Sequence, residues 1–187
     1  MSPGAHLLAS WAVANASGLA RRERRLVTLA GVIPDLDGVG VVADILNGWR
    51  GVESDVFQRY HHLWAHNALA GLFLALAVAL LASRQRMKAA GLALATFHLH
   101  LLCDLVGSRG PDGYQWPIPY AFPFTRAHAW VWQRQWDLNA WPNLLILALL
   151  FGLAVAWSWK QRYSFIEVIS HRLDRAIFAA IERRWPA

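Results

Sequence analysis

Apolar runs of helical length alternate with short polar or basic breaks along this chain. Residues 5–20, "AHLLASWAVANASGLA", predict a first helix that closes at the basic string "RRERR". The apolar piece 26–34 stops at Pro34 and is too short to cross ~30 Å of hydrocarbon as a helix. Residues 36–60 hold Gly, Asp, Asn and Ser, and predict a loop with a short helix near "VVADIL". Strong apolar helices follow at 66–83 and 89–107, separated by "RQRMK". The stretch "SRGPDGYQWPIPYAFPF" is rich in Pro, Gly and aromatics and predicts an irregular loop. Residues 127–141 carry four Trp and read as interfacial, and 143–159 give a third apolar span. In the tail, Phe165 and Ile166, then Ile169, Leu173, Ile177 and Ile181, recur at steps of three or four. They predict a basic amphipathic helix lying on a membrane surface or packed on a soluble partner. The chain therefore divides into a membrane-embedded domain, 1–159, and a C-terminal helix, 160–187.

Composition supports this pattern. The 187 residues are 56% hydrophobic and only 16% charged, against about 25% charged in average globular chains. Eleven Trp suit a membrane–water boundary. The single cysteine, Cys103, excludes an intramolecular disulfide and a Cys-based zinc cluster, and reads as a packing residue. The net charge of +6 does not point to nucleic acid, because the cations follow apolar segments in three clusters. These lie at Arg21–Arg25, at Arg84–Lys88, and from Lys160 to Arg184. That is the pattern of cytoplasmic helix ends.

Placing those clusters inside fixes a topology. The helices at 5–20 and 66–83 run inward, the one at 89–107 runs outward, and the loop 108–142 lies outside. Thirteen of the 18 Lys and Arg then lie inside and eight of the 12 Asp and Glu outside. The expected fold is an all-α, multi-pass membrane helical bundle with a polar site at the outer ends of the helices.

Six of the eight histidines converge on that outer layer: His6, His61, His62, His66, His98 and His100, joined by Asp35, Asp37 and Asp104. His100 and Asp104 are four apart and share a helix face, so both can reach one divalent ion. His98 points about 200° away on an ideal helix, as a packing or supporting residue. His62 and His66 share a face if their helix has begun, and His61 joins only from a loop. In an extended "PDLD" loop, Asp35 and Asp37 point the same way. A mutually satisfied polar core is the alternative to a metal site. Ionisable groups inside a membrane cost roughly 2.5–3.5 kcal/mol each and persist mainly for function. Mixed His/carboxylate ligation suits zinc, manganese or iron.

The pieces "AHLLASW", "GVIPDLD", "YHHLWAHN" and "FHLHLLCDLVGSRGPDGYQWPIPY", over about residues 4–124, carry a resemblance. The chain resembles the bacterial membrane-bound predicted metal-dependent hydrolases, the LexA-binding inner-membrane hydrolase-like family. That family is distantly similar to zinc-dependent phospholipase C. Its commoner third box reads like HRGxTHS, so the Arg, Thr and Ser are replaced here, and His61 and His66 occupy the matching positions. The resemblance implies phosphoester hydrolysis at one to three divalent ions, zinc first. It implies as ligands His6, Asp35, His61 or His62, His66, His100 and Asp104. Asp37 is then a ligand or a base for water, and Arg109 a holder of a phosphate oxygen or an interfacial anchor.

The expected function is a phosphoester hydrolase of the bacterial inner membrane whose site faces outward, where a phospholipid or lipid-linked phosphate is within reach. Membrane lipids are the expected partners, with a soluble partner at the tail as a further one. The alternatives are a metal-binding membrane transporter and a regulatory membrane protein without catalysis.

Overall fold

The computed structural model describes residues 1–110 and 112–185. Among them the chain is almost wholly helical, with only two isolated bridges, Arg109 to Asp137 and Ile118 to Trp130. Helix α1 (Pro3–Ala16) begins at Ser2, whose side chain accepts from the Ala5 amide, and ends before Gly18 at φ +62°. Helix α2 (Arg21–Ala30) contains "RRERR", so this string is helical and not a break. A 3₁₀ segment, Ile33–Val39, carries "PDLD" and leads into α3 (Gly40–Trp49) and the short α4 (Val56–Tyr60). The region 36–60 is thus largely helical, against the expected loop.

Helix α5 spans only Ala68–Leu81, 14 residues or about 21 Å, which corrects the predicted run 66–83. Asn67 sets its start by accepting from the Ala70 amide at 2.9 Å. The residues before it form turns, with His62 left-handed at φ +65°. Helices α6 (Arg86–Gly107) and α7 (Trp141–Gln161) are long and apolar enough to cross a membrane. The segment from α2 through α3, bent by 45°, makes up to a third such span. Helix α7 breaks at Arg162, and a 3₁₀ turn, Phe165–Val168, precedes α8 (His171–Arg184). The tail is therefore not one continuous helix. Ser170 caps α8, and Asp174 accepts from the Ser164 amide and hydroxyl.

Helices α1, α2, α5 and α6 pack together, and α7 lies on α1. Small residues dominate one half of the core: Ala14, Ala30, Ala82, Ala89 and Ala93 surround Val27 and Val78. They let helices approach closely where lipid removes the hydrophobic drive for association. Trp11 fills the seam between α1, α7 and the 3₁₀ turn, and Phe97 and Leu101 the core beside Ile118. Leu144, Leu149, Phe151 and Val155 on α7 face outward, as do Leu72, Phe73, Leu76 and Leu80 on α5.

The two ends of the bundle differ. At the basic end, Glu23 Oε1 accepts from the Ser83 and Arg84 amides and the Ser83 hydroxyl, which terminates α5 and turns the chain into α6. Arg24, from the basic cluster read as a cytoplasmic helix end, is buried and forks onto Glu167 at 2.5 and 2.9 Å. The other end gathers the N-terminus of α1, the end of α2, the start of α5 and the end of α6.

Candidate metal centre

Asp104 is the hub of that end. It is buried on α6, one turn beyond His100, whose Nε2 lies 3.0 Å from Asp104 Oδ2. His6 on α1 brings its Nε2 to 3.1 Å from Asp104 Oδ1, and its ring stacks on His100 with centroids 3.8 Å apart. The Met1 ammonium also contacts Oδ1. His66 and His62, from the turn before α5, place Nε2 at 3.5 and 3.8 Å from Oδ2. Asp35 Oδ1 lies 3.8 Å from His100 Nε2. Two groups with ligand atoms mutually within 4.8 Å result: His6, Asp35, His100 and Asp104, and His62, His66 and Asp104. Either could hold a metal ion, and Asp104 belongs to both.

The hydrogen bonds behind the imidazoles decide which nitrogens face inward. His100 Nδ1 lies 2.9 Å from the Gly31 carbonyl, a partner that only an N–H can satisfy. His66 Nδ1 lies 2.9 Å from Asp37 Oδ2. Neutral rings would leave both Nε2 atoms as bare lone pairs 3.1 Å apart, but against the effect of burial the Asp104 and Asp37 carboxylates raise the His66 imidazole to about 9. Two lone pairs at that distance repel unless a cation or proton lies between them. Asp104 Oδ2, Asp35 Oδ2 and His62 Nδ1 are buried without a hydrogen-bond partner. Burial, then the neighbouring His66, pushes the His62 imidazole well below its ordinary range, toward the neutral form that ligates metals. Donor set and orphaned atoms together fit a divalent ion.

Asp37 does not join this set. In the 3₁₀ segment, residues two apart point about 240° from each other, so Asp35 and Asp37 diverge and the extended-loop expectation fails. Asp37 accepts from the Ala65 amide and pairs with His61 Nδ1 at 3.0 Å and His66 Nδ1 at 2.9 Å. It orients imidazoles from behind. His61 is held there, stacked on Phe57 at 4.5 Å between centroids, while His62 stands in the group with His66. A shared helix face does not bring His62 and His66 together; the left-handed turn at His62 does.

Arg109 sits outside the cluster. It donates to Asp137 at 2.7 Å, and its guanidinium holds the Asp137 carboxyl below the usual range. His98 bonds the Leu94 carbonyl and the Tyr120 hydroxyl, facing away. Several contributors were not singled out from sequence, the Met1 ammonium on Asp104 and the Phe57 ring on His61 among them. The Gly31 carbonyl positions His100, and Gln135 donates to the Asp104 carbonyl at 2.7 Å. Trp116 packs edge-on against His61, and Arg126 lines a 260 Å³ cavity beside His61 and His62. Trp116 lies inside the motif "YQWPIPY", but its partners at the site, Phe57, His61 and His62, are more than 50 residues earlier in the chain.

A nearly all-helical bundle with bilayer-length apolar helices and a buried His/Asp cluster at one end is a membrane protein with a metal-capable centre. The family model of the YdjM inner membrane protein matches residues 1–165, and the chain belongs to that family. The match runs past residue 124, where the recognisable motifs stop, and takes in Gln135 and α7. No curated protein and no solved structure matches the chain.

Proposed function

We propose that the protein is a multi-pass, metal-dependent hydrolase of the inner membrane that cleaves a phosphoester, with its site on the outer side. The observation that carries this reading is Asp104, shared by two His/Asp groups and leaving Oδ2 without a hydrogen bond. Bound there, a divalent ion, zinc first, supplies Lewis acidity toward a phosphoryl oxygen and lowers the pKa of water to about 7. His6, Asp35, His100 and Asp104 would hold such an ion in one group, and His62, His66 and Asp104 in the other. Gly31 and Asp37 keep His100 and His66 in the ligating tautomer. The orientation rests on the 13 cations of the three clusters, which sit at the bundle end away from the site or in the tail.

The test is metal analysis of purified protein, wild type and Asp104→Ala, followed by hydrolysis of bis(p-nitrophenyl) phosphate. At least one zinc per wild-type chain, lost with activity in Asp104→Ala, is expected. Metal-free wild type that stays inactive with zinc, manganese or iron added removes the reading. Zinc bound without hydrolysis of any phosphoester favours the transporter.

A further inference from the structure

Helices α3 and α4 form an arm that packs on itself and on the "PDLD" segment, with no comparable packing on the helices of the bundle. The polar groups between its two helices are satisfied within it, while Arg50, Glu53, Asp55 and Arg59 are exposed after α3 and on α4. Asp44 accepts from the Ser54 hydroxyl and from the Val56 and Phe57 amides, and Asn47 donates to Ser54. Its apolar side chains point out: Val42, Ile45 and Leu46 are about half exposed and Trp49 is 81% exposed. A helix with no buried residue, inward polar bonds and an outward apolar face is built for an apolar surrounding. Under this arm lies a 550 Å³ cavity whose wall joins Asp35, His62 and Asp104 to Val41, Phe57 and Trp116. One cavity thus offers the metal-capable cluster at one side and an apolar wall at the other.

We propose that the apolar face of α3 lies against the bilayer, with Arg50, Glu53, Asp55 and Arg59 at the headgroup edge, and that the arm admits a membrane amphiphile sideways, its acyl chain along Val41 and Phe57 and its phosphate at the cluster. This rests on the hydrolase reading for the chemistry and goes beyond it in naming the substrate class and its route. A water-soluble phosphodiester needs neither the apolar wall nor the lipid-facing arm.

The experiment uses the full-length protein in phosphatidylethanolamine vesicles with phosphatidylglycerol carrying a diazirine in one acyl chain. Photolysis is expected to label Val41, Phe57 or Trp116, in wild type and Asp104→Ala alike. Labelling confined to the outer faces of α5 and α7 overturns the proposal, even if bis(p-nitrophenyl) phosphate is hydrolysed. Cavity labelling with no hydrolysis of any substrate sinks the hydrolase reading and leaves the lipid route standing. In an active enzyme, Val42→Glu combined with Leu46→Glu should lower phosphatidylglycerol turnover at least tenfold and bis(p-nitrophenyl) phosphate turnover less than twofold. Equal losses on both overturn the route. A nitroxide at Val42, in a Cys103→Ser background, should be reached by oxygen more readily than by a water-soluble nickel chelate. Spin–spin broadening between copies would instead assign the face to a second chain.

Discussion

Asp37 gives the sharpest quantitative test of how the centre is organised. Its two oxygens hold His61 and His66 by their Nδ1 atoms at 3.0 and 2.9 Å, and Asp37 itself belongs to neither ligand group, whereas His66 does. An orienting carboxylate of this kind typically contributes 10–100-fold to metal affinity. That range corresponds to about 1.4–2.7 kcal/mol. Asp37→Ala releases both rings and should fall near the upper limit. Asp37→Asn keeps one acceptor, and one imidazole with it, and should lose about tenfold. Asp104→Ala removes the residue common to both groups and should abolish tight binding. Zinc competition against a chromophoric chelator in detergent measures all three. Asp37→Ala within twofold of wild type refutes the orienting role. So does a loss as complete as that of Asp104→Ala, which would make Asp37 a ligand. Unchanged zinc affinity with lost turnover would restore Asp37 as a base.

Three further outcomes follow from contacts elsewhere. Glu167→Ala leaves the buried Arg24 guanidinium uncompensated and should cost about 3–5 kcal/mol, read as a lower unfolding midpoint in detergent and faster proteolysis at α8. A Cβ at Gly71 would lie 2.7 Å from the Phe97 ring, so Gly71→Ala should destabilise by about 1–3 kcal/mol. Adding Phe97→Leu should recover part of that loss, and failure to do so places the strain elsewhere. Arg109→Ala breaks only a partly exposed pair with Asp137 and should leave zinc affinity within twofold and the unfolding midpoint unchanged.

The parts of the fold legible in the sequence are those set by local pattern. Helix α6 and helix α7 are long apolar runs, and their existence needs nothing but period and composition. The gathering of His6, His62, His66, His100 and Asp104 was legible from charge, because placing the basic clusters on one side leaves the histidines on the other. The illegible parts depend on contacts distant in sequence. Helix α2 carries four arginines in five residues, a poor run for a bundle on composition alone. It is stable there because Glu23 meets Ser83 and Arg84, and Arg24 meets Glu167 143 residues away. The reach of α5 was overestimated by two residues at each end, and at the far end the Ser83 amide turns to Glu23 instead. At the near end Asn67 interrupts the run by bonding the Leu63 and Trp64 carbonyls and capping the Ala70 amide. The division between Asp35 and Asp37 hung on 3₁₀ rather than extended geometry, which a four-residue turn motif does not specify.

The contrast between the two ends bears on why the cluster exists. At the basic end, buried acids meet hydrogen-bond donors: the Glu167 carboxylate takes the Arg24 fork, and Asp174 Oδ1 takes an amide and a hydroxyl. This chain therefore has the means to neutralise a buried carboxylate with donors where stability alone is at stake. At the other end Asp104 Oδ1 takes the Met1 ammonium, but four imidazoles crowd the carboxylate, and those of His66 and His100 turn toward each other with their Nδ1 atoms tied to Asp37 and Gly31. Such an arrangement is costly in a low-dielectric interior, because lone pairs face lone pairs and polar atoms go without partners. The cost falls away when a cation supplies the missing positive charge. A purely structural polar core would point Nδ1 or Nε2 hydrogens at the carboxylate oxygens. Here Asp37 and Gly31 occupy the Nδ1 atoms of His66 and His100, so their Nε2 atoms are left to face Asp104 and each other, an arrangement that suits a bound cation or a shared proton.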